Sequence, residues 1–237
     1  LNRGVSLTDL NLDKDDYHGL YVVSSGPITL KNVNVSNTST GICVRLANGG
    51  VESNSPITFT NGKLDNCGQE GVYVRSNGAV TMSNVWVEDA SDDGFDIYNK
   101  NSPSNAKVTL TNITANSNTL IGLSVTTNGA ILITNLTATS NQSGSYAVFL
   151  SNGTSPINAG VTLKTSSGKV NEVKYSVGDG LRIQSNGPVI LDKLISNNSS
   201  GGSGADVSTL GNLTITNSSF DGNRKYGLEA SVGGALL

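Results

Sequence analysis

The stretch at residues 71–93, GVYVRSNGAVTMSNVWVEDASDD, recurs with variation along the chain, and this repetition limits the fold more than any other feature. Val72 and Val74 alternate with Tyr73 and Arg75, and Ser76, Asn77 and Gly78 break the run. Val80 and Met82 then alternate with Thr81 and Ser83, Asn84 marks a second turn, and Val85 and Val87 flank Trp86. Alternation at period two, cut by Asn and Gly, predicts three short strands per unit. Further copies begin at Gly19, Gly41, Gly94, Gly122, Tyr146, Gly180, Ala205 and Gly227, in steps averaging 26 residues. A unit this short, without a 3.6-residue period, cannot bury its apolar face alone, so the copies must stack as a solenoid. The inward positions then line up in two columns. One holds Leu20, Ile42, Val72, Phe95, Leu123, Ala147 and Leu181; the other holds Leu30, Phe59, Met82, Leu110, Ile133, Leu163, Leu191 and Ile215.

The unbroken repeat predicts a single domain over residues 1–237, with both ends falling inside a rung. A chain rich in Gly, Asn, Ser and Thr would be expected to stay disordered if these apolar columns were absent. Only 14% of residues are charged, the net charge is −3 and there is no basic cluster, which argues against a nucleic-acid partner. No run approaches the eighteen or so apolar residues of a membrane-spanning helix.

A column of side-chain amides falls at the second turn: Asn32, Asn61, Asn84, Asn112, Asn135 and Asn217, with Asp9, Thr165 and Lys193 as departures. Asn tolerates left-handed backbone and carries both donors and acceptors, so stacked copies can satisfy one another. The column resembles the asparagine ladder of the right-handed parallel β-helix, the architecture of pectate lyases and many bacterial surface proteins. The resemblance implies an all-β, right-handed, single-stranded parallel β-helix of about nine rungs with three short strands each, a buried amide ladder, and an extracellular or cell-surface location.

Asp92, Asp93 and Asp96 lie in a turn running into a first strand, and Glu70 holds the place of Asp93 one rung earlier. Hard oxygen ligands gathered in this way suit Ca²⁺. The string Asp92-Asp93-Gly94-Phe95-Asp96 resembles the calcium-ligand segment of one class of pectate lyases, which implies a metal site at these acids. A lyase also needs a base to take the proton beside a uronate carboxyl group. Arg75 is the basic residue nearby on that face, and the lysine that the resemblance would call for is replaced by Ser124 and Thr126 on the following rung. Two carboxylate pairs, Asp93 with Asp96 and Asp92 with Glu70, could be read as a glycosidase dyad, but no hydrolase signature accompanies them. Asp13, Asp15, Asp16 and His18 read as a solvated acidic turn.

Outward first-strand positions hold Tyr21, Arg45, Tyr73, Arg75, Asp96, Tyr98 and Arg182, a combination of aromatic faces and forked donors that suits carboxylated glycans. The outward second-strand columns are rich in Thr, from Thr29, Thr58 and Thr81 to Thr214, and resemble an ice-binding array interrupted by Lys31, Lys164 and Asp192. Glycosylation sequons occur at Asn34, Asn37, Asn141, Asn152, Asn197 and Asn198, which are expected to be accessible, and at the ladder positions Asn112, Asn135 and Asn217, which are not. Cys43 is placed outward and Cys67 on another side of the coil, so no disulfide is expected.

These readings favour a non-enzymatic segment of an extracellular fibre, stalk or adhesin. The alternatives are a polysaccharide-binding protein, a calcium-dependent polysaccharide lyase and, last, an ice-binding solenoid. Incomplete rungs at the two ends offer Val5, Leu7 and Leu10 on one side and Leu228, Leu236 and Leu237 on the other. These residues are expected to meet copies of the chain end to end, or covalent neighbours in a longer protein.

Overall fold

The computed structural model describes residues 3–48, 54–100, 105–153 and 157–236. Every strand pairing in it is parallel, and neighbours in space are successive copies of the repeat. One sheet of nine strands stacks the first strand of each rung, from Leu20–Val23 to Leu228–Val232. An eleven-stranded sheet stacks the rest. In the early rungs the second and third strands run on as one bent strand, such as Val80–Ala90. Later they separate into pairs such as Val189–Asp192 and Leu194–Asn197. No helix among the described residues is long and apolar enough to cross a membrane.

The bend falls where the amide column was expected, and its cause is backbone chirality. Asp9, Asn32, Asn61, Asn84, Asn112, Asn135, Lys193 and Asn217 all have φ between 50° and 59°, the left-handed region that Asn enters at least cost among residues with a Cβ. Each amide donates to the one before it: Asn61 Nδ2 to Asn32 Oδ1 at 3.0 Å, Asn84 to Asn61 at 3.0 Å, Asn112 to Asn84 at 2.7 Å and Asn135 to Asn112 at 2.7 Å. The ladder is not buried as expected. Asn61, Asn84 and Asn217 are exposed and Asn112 and Asn135 half-exposed, because the two residues at each bend both point outward.

A second left-handed column ends the third strand, at Lys14, Asn37, Asn66, Asp89, Ser117, Ser140, Tyr175 and Asn198. Directly after it comes the polar column that is buried: Thr38, Asn118, Asn141, Ser176 and Ser199. Asn118 Nδ2 donates to Asn141 Oδ1 at 2.9 Å, Asn141 Nδ2 to the Ala115 carbonyl at 2.9 Å, and the Ser176 and Ser199 hydroxyls meet at 2.9 Å. A buried turn backbone must find partners, and this column supplies them.

The core is a continuous apolar column system. Leu30, Phe59, Met82, Leu110, Ile133, Leu163, Leu191 and Ile215 stack in the expected register. The first-strand column is corrected at two places, since Val44 rather than Ile42 pairs with Leu20 and Val148 rather than Ala147 pairs with Leu123. The shift takes Cys43 out of the alternating strand and into the turn before it, where it is buried. It occupies the position that Gly19 and Gly71 hold in the adjacent rungs, while Cys67 pairs with Ala90. The two cysteines, both essentially inaccessible to solvent, form a disulfide with Cα atoms 5.5 Å apart. The expectation of unpaired thiols is therefore wrong. Cys43 stands in the turn just before its first strand and Cys67 at the end of a third strand, so the two meet at the turn that joins third strand to first.

Candidate functional site

The outward face of the nine-stranded sheet gathers most of the residues singled out for ligand binding. Parallel register places Tyr21, Arg45, Tyr73 and Asp96 in one file and Arg75 and Tyr98 in the file two residues on. Rungs stack about 4.8 Å apart, which lets the guanidinium groups lie over neighbouring rings. Arg45 sits 5.0 Å from the Tyr21 ring centroid and 5.2 Å from that of Tyr73, and Arg75 sits 3.8 Å from Tyr73 and 5.3 Å from Tyr98. His18 extends the stack, with its ring 5.7 Å from Tyr21 and 4.0 Å from Tyr17. Burial and the Arg45 charge lower its pKa, and its Nδ1 accepts the Ile42 N–H at 3.0 Å. It is a packed member of the stack rather than part of a solvated acidic turn.

The two arginines of the stack differ. Arg75 donates to Asp96 Oδ2 at 2.6 Å, whereas Arg45 makes no ion pair among the described residues and leaves its buried Nε without a partner. Arg182 stands apart, farther along the rod, 3.6 Å from Asp206 and 5.9 Å from the Tyr146 ring. Tyr146 stacks on Phe149 at 5.0 Å, a pair that sequence reading missed although both residues lie on the first strand.

Glu70, Asp92, Asp93 and Asp96 share one neighbourhood beside this stack. Asp93 is pushed up to about 7, chiefly by burial and further by Asp92, Asp96 and Glu70, against the Ile121 N–H that its Oδ1 accepts at 2.9 Å. Burial also raises Glu70 and Asp92. For Arg75, burial works against the charge, but the hydrogen bond and charge of Asp96 more than offset it and the pKa is raised. A base must give up its proton before it can accept one, and the bond to Asp96 favours the protonated form of Arg75. Among the described residues no three His, Cys, Asp or Glu side chains come together as a metal cage. Asp96 is committed to Arg75 and Asp93 to backbone.

The sequons divide differently from expectation. Asn34, Asn37 and Asn198 are exposed and Asn197 is half-exposed. Asn141 and Asn152 are fully buried, a correction. Asn141 belongs to the internal polar column, and Asn152 Nδ2 donates to the carbonyls of Gly129, Ala159 and Gly160. The threonine columns form in register, with Thr29, Thr58 and Thr81 adjacent. Of the end residues, Val5, Leu7, Leu10 and Leu228 are partly buried against the core and Leu236 is 64% exposed; Leu237 lies outside the described residues.

No curated protein and no solved structure matches the chain. Residues 2–160 and, overlapping them, residues 50–236 match the family model described as right handed beta helix region. The two matches together span nearly all of the rungs, and the parallel stacking, the left-handed bend column and the continuous core are what such a coil requires, so the chain belongs to the right-handed β-helix family.

Proposed function

We propose that the chain is a non-enzymatic rod segment of an extracellular fibre, stalk or adhesin. The observation that carries this reading is the bond between Arg75 and Asp96, which occupies the basic residue that a lyase at this acid cluster would use. The Cys43–Cys67 disulfide supports the location, since such bonds persist in oxidising compartments outside the cytosol. Incubation with polygalacturonate and Ca²⁺ tests the absence of lyase chemistry. Flat absorbance of the unsaturated product is expected, and a sustained rise would overturn the reading.

End-to-end contact belongs to the same proposal. A rung laid on Val5, Leu7 and Leu10, or on Leu228 and Leu236, would continue both sheets and the apolar columns, whether it came from another copy or from a covalent neighbour. If copies join in this way, sedimentation will show association that Leu7→Asp abolishes; a strictly monomeric chain at high concentration defeats self-assembly.

A second reading, polysaccharide binding on the first-strand face, is favoured by the unpaired Arg45 between two tyrosine rings. Aromatic faces take the apolar faces of sugar rings and the guanidinium takes a carboxylate. Affinity electrophoresis in polygalacturonate should retard the protein, Arg45→Ala should remove most of the retardation, and equal mobility with and without polysaccharide would sink the idea. The neighbouring acids would attract a hard cation once charged, so calorimetry with Ca²⁺ belongs in the same experiment.

A further inference from the structure

On the bent-strand face the regular rod is interrupted by a fold-back. Thr134 pairs with Lys164 and Thr137 with Glu172, so two residues in one rung face seven in the next. The extra residues return over the preceding rungs. The Ser166 N–H donates to Asn135 Oδ1 at 2.9 Å, and Lys169 reaches two rungs back to donate to Asn112 Oδ1 at 3.2 Å. Gly168, with φ of 74°, makes the turn between them. Beneath this flap lies a trough of about 380 Å³, lined by Thr114, Thr137, Lys169, Glu172 and the ladder residues Asn112 and Asn135. Its size is at the lower end of small-ligand sites, which run from about 300 Å³ upward.

Charge and hydrogen bonding inside the trough define what fits. Glu172 is neutralised by Lys174 at 2.8 Å, whereas Lys169 makes no ion pair among the described residues. An ammonium has three N–H donors, and Asn112 takes one of them. The ladder amides are occupied with one another and with Ser166. The hydroxyls of Thr114 and Thr137, adjacent across one rung, form no hydrogen bond among the described residues. The trough therefore presents one uncompensated cation beside two hydroxyls that can each donate or accept.

We propose that this trough binds a sugar acid, a ligand of monosaccharide size with one carboxylate and several hydroxyls. The carboxylate pairs with Lys169 and ring hydroxyls with Thr114 and Thr137. The site lies on the bent-strand sheet, away from the Tyr–Arg stack of the first-strand sheet, so each can fail without the other.

The test is an amide-resolved NMR titration of the intact chain with glucuronate, its methyl glycoside, glucose and acetate. Glucuronate should shift the amides of residues 168–172 together with Thr114 and Thr137. Lys169→Gln, a change at an exposed side chain, should weaken binding at least tenfold while leaving the remaining spectrum in place. Response to the methyl glycoside as well identifies the end of a glycan as the source, and response to free glucuronate alone identifies the free acid; either supports the site. Equal shifts with glucose, shifts reproduced by acetate as an adventitious ion only, no shift at tens of millimolar, or a Lys169→Gln variant that binds as well would each overturn it.

Discussion

Removing the disulfide measures how far one covalent link between adjacent rungs stabilises the rod. The informative change is the double variant Cys43→Gly with Cys67→Ala, because it gives both positions the residues of neighbouring rungs, Gly19 and Gly71 at one and Ala90 at the other. The shape of the core is thereby kept close to that of the other rungs. The bond closes a loop with a sequence separation of 24. The chain-entropy relation gives about 3.5 kcal/mol for a loop of that length at 25 °C. A new glycine frees the unfolded chain further and costs up to about 1 kcal/mol more. For a chain of this size each kcal/mol moves the melting temperature by roughly 2–4 °C, so a fall on the order of 10 °C is expected. Urea denaturation of the oxidised protein, the oxidised protein with reductant and the double variant supplies the assay, with alkylation and intact mass reporting the thiol state. If alkylation finds the bond intact and yet the variant unfolds at the same urea concentration, the entropic argument is refuted. If it finds two free thiols in protein kept under oxidising conditions, the pairing itself is wrong.

The ladder can be probed at Asn84, whose φ is 54° and whose amide bonds both neighbours. Asn84→Leu should lose about 2–3 kcal/mol, from left-handed strain and two exposed hydrogen bonds, and Asn84→Gly less, since it escapes the strain; denaturation midpoints in the opposite order would contradict this. At Gly62 an added Cβ would lie 2.3 Å from Phe59 Cζ, so Gly62→Ala should destabilise by about 1–3 kcal/mol. Gly62→Val alone should cost more, and Phe59→Leu beside it, the combination found as Leu30 and Val33, should recover much of that cost. A double-mutant cycle of Phe59→Leu and Gly62→Val without coupling would refute the packing account. Asp93 is raised to about 7 from an ordinary 3.8, so the folded chain holds its proton where the unfolded chain has lost it. Its contribution therefore makes stability fall as pH rises from about 4 to about 7 and level off above; Asp93→Asn should flatten that slope in denaturation series, and an unchanged slope would remove Asp93 as its source.

The sequence by itself determined the class of fold. Period-two alternation cut by Asn and Gly, with no helical period, leaves stacking of short strands as the way to bury Leu30, Phe59, Met82 and their successors. A column of asparagines marks the left-handed bend because few other residues adopt it at low cost. The register around the turns before the first strand was decided only in three dimensions. Cys43 stands where most rungs carry glycine, so an alignment on glycines starts that rung at Gly41, two residues early. A slip of two keeps the in–out alternation intact, and the pattern cannot reveal it; the contacts of Val44 with Leu20 and Val72 do, and with them the disulfide. The same limit hid which amides are internal, since Asn84 and Asn141 both sit at turns and only the path of the coil puts one outside and the other within. Lys169 meeting Asn112 is likewise tertiary. The two residues lie 57 apart in the chain, and no local periodicity connects a flap to the rung it folds back upon.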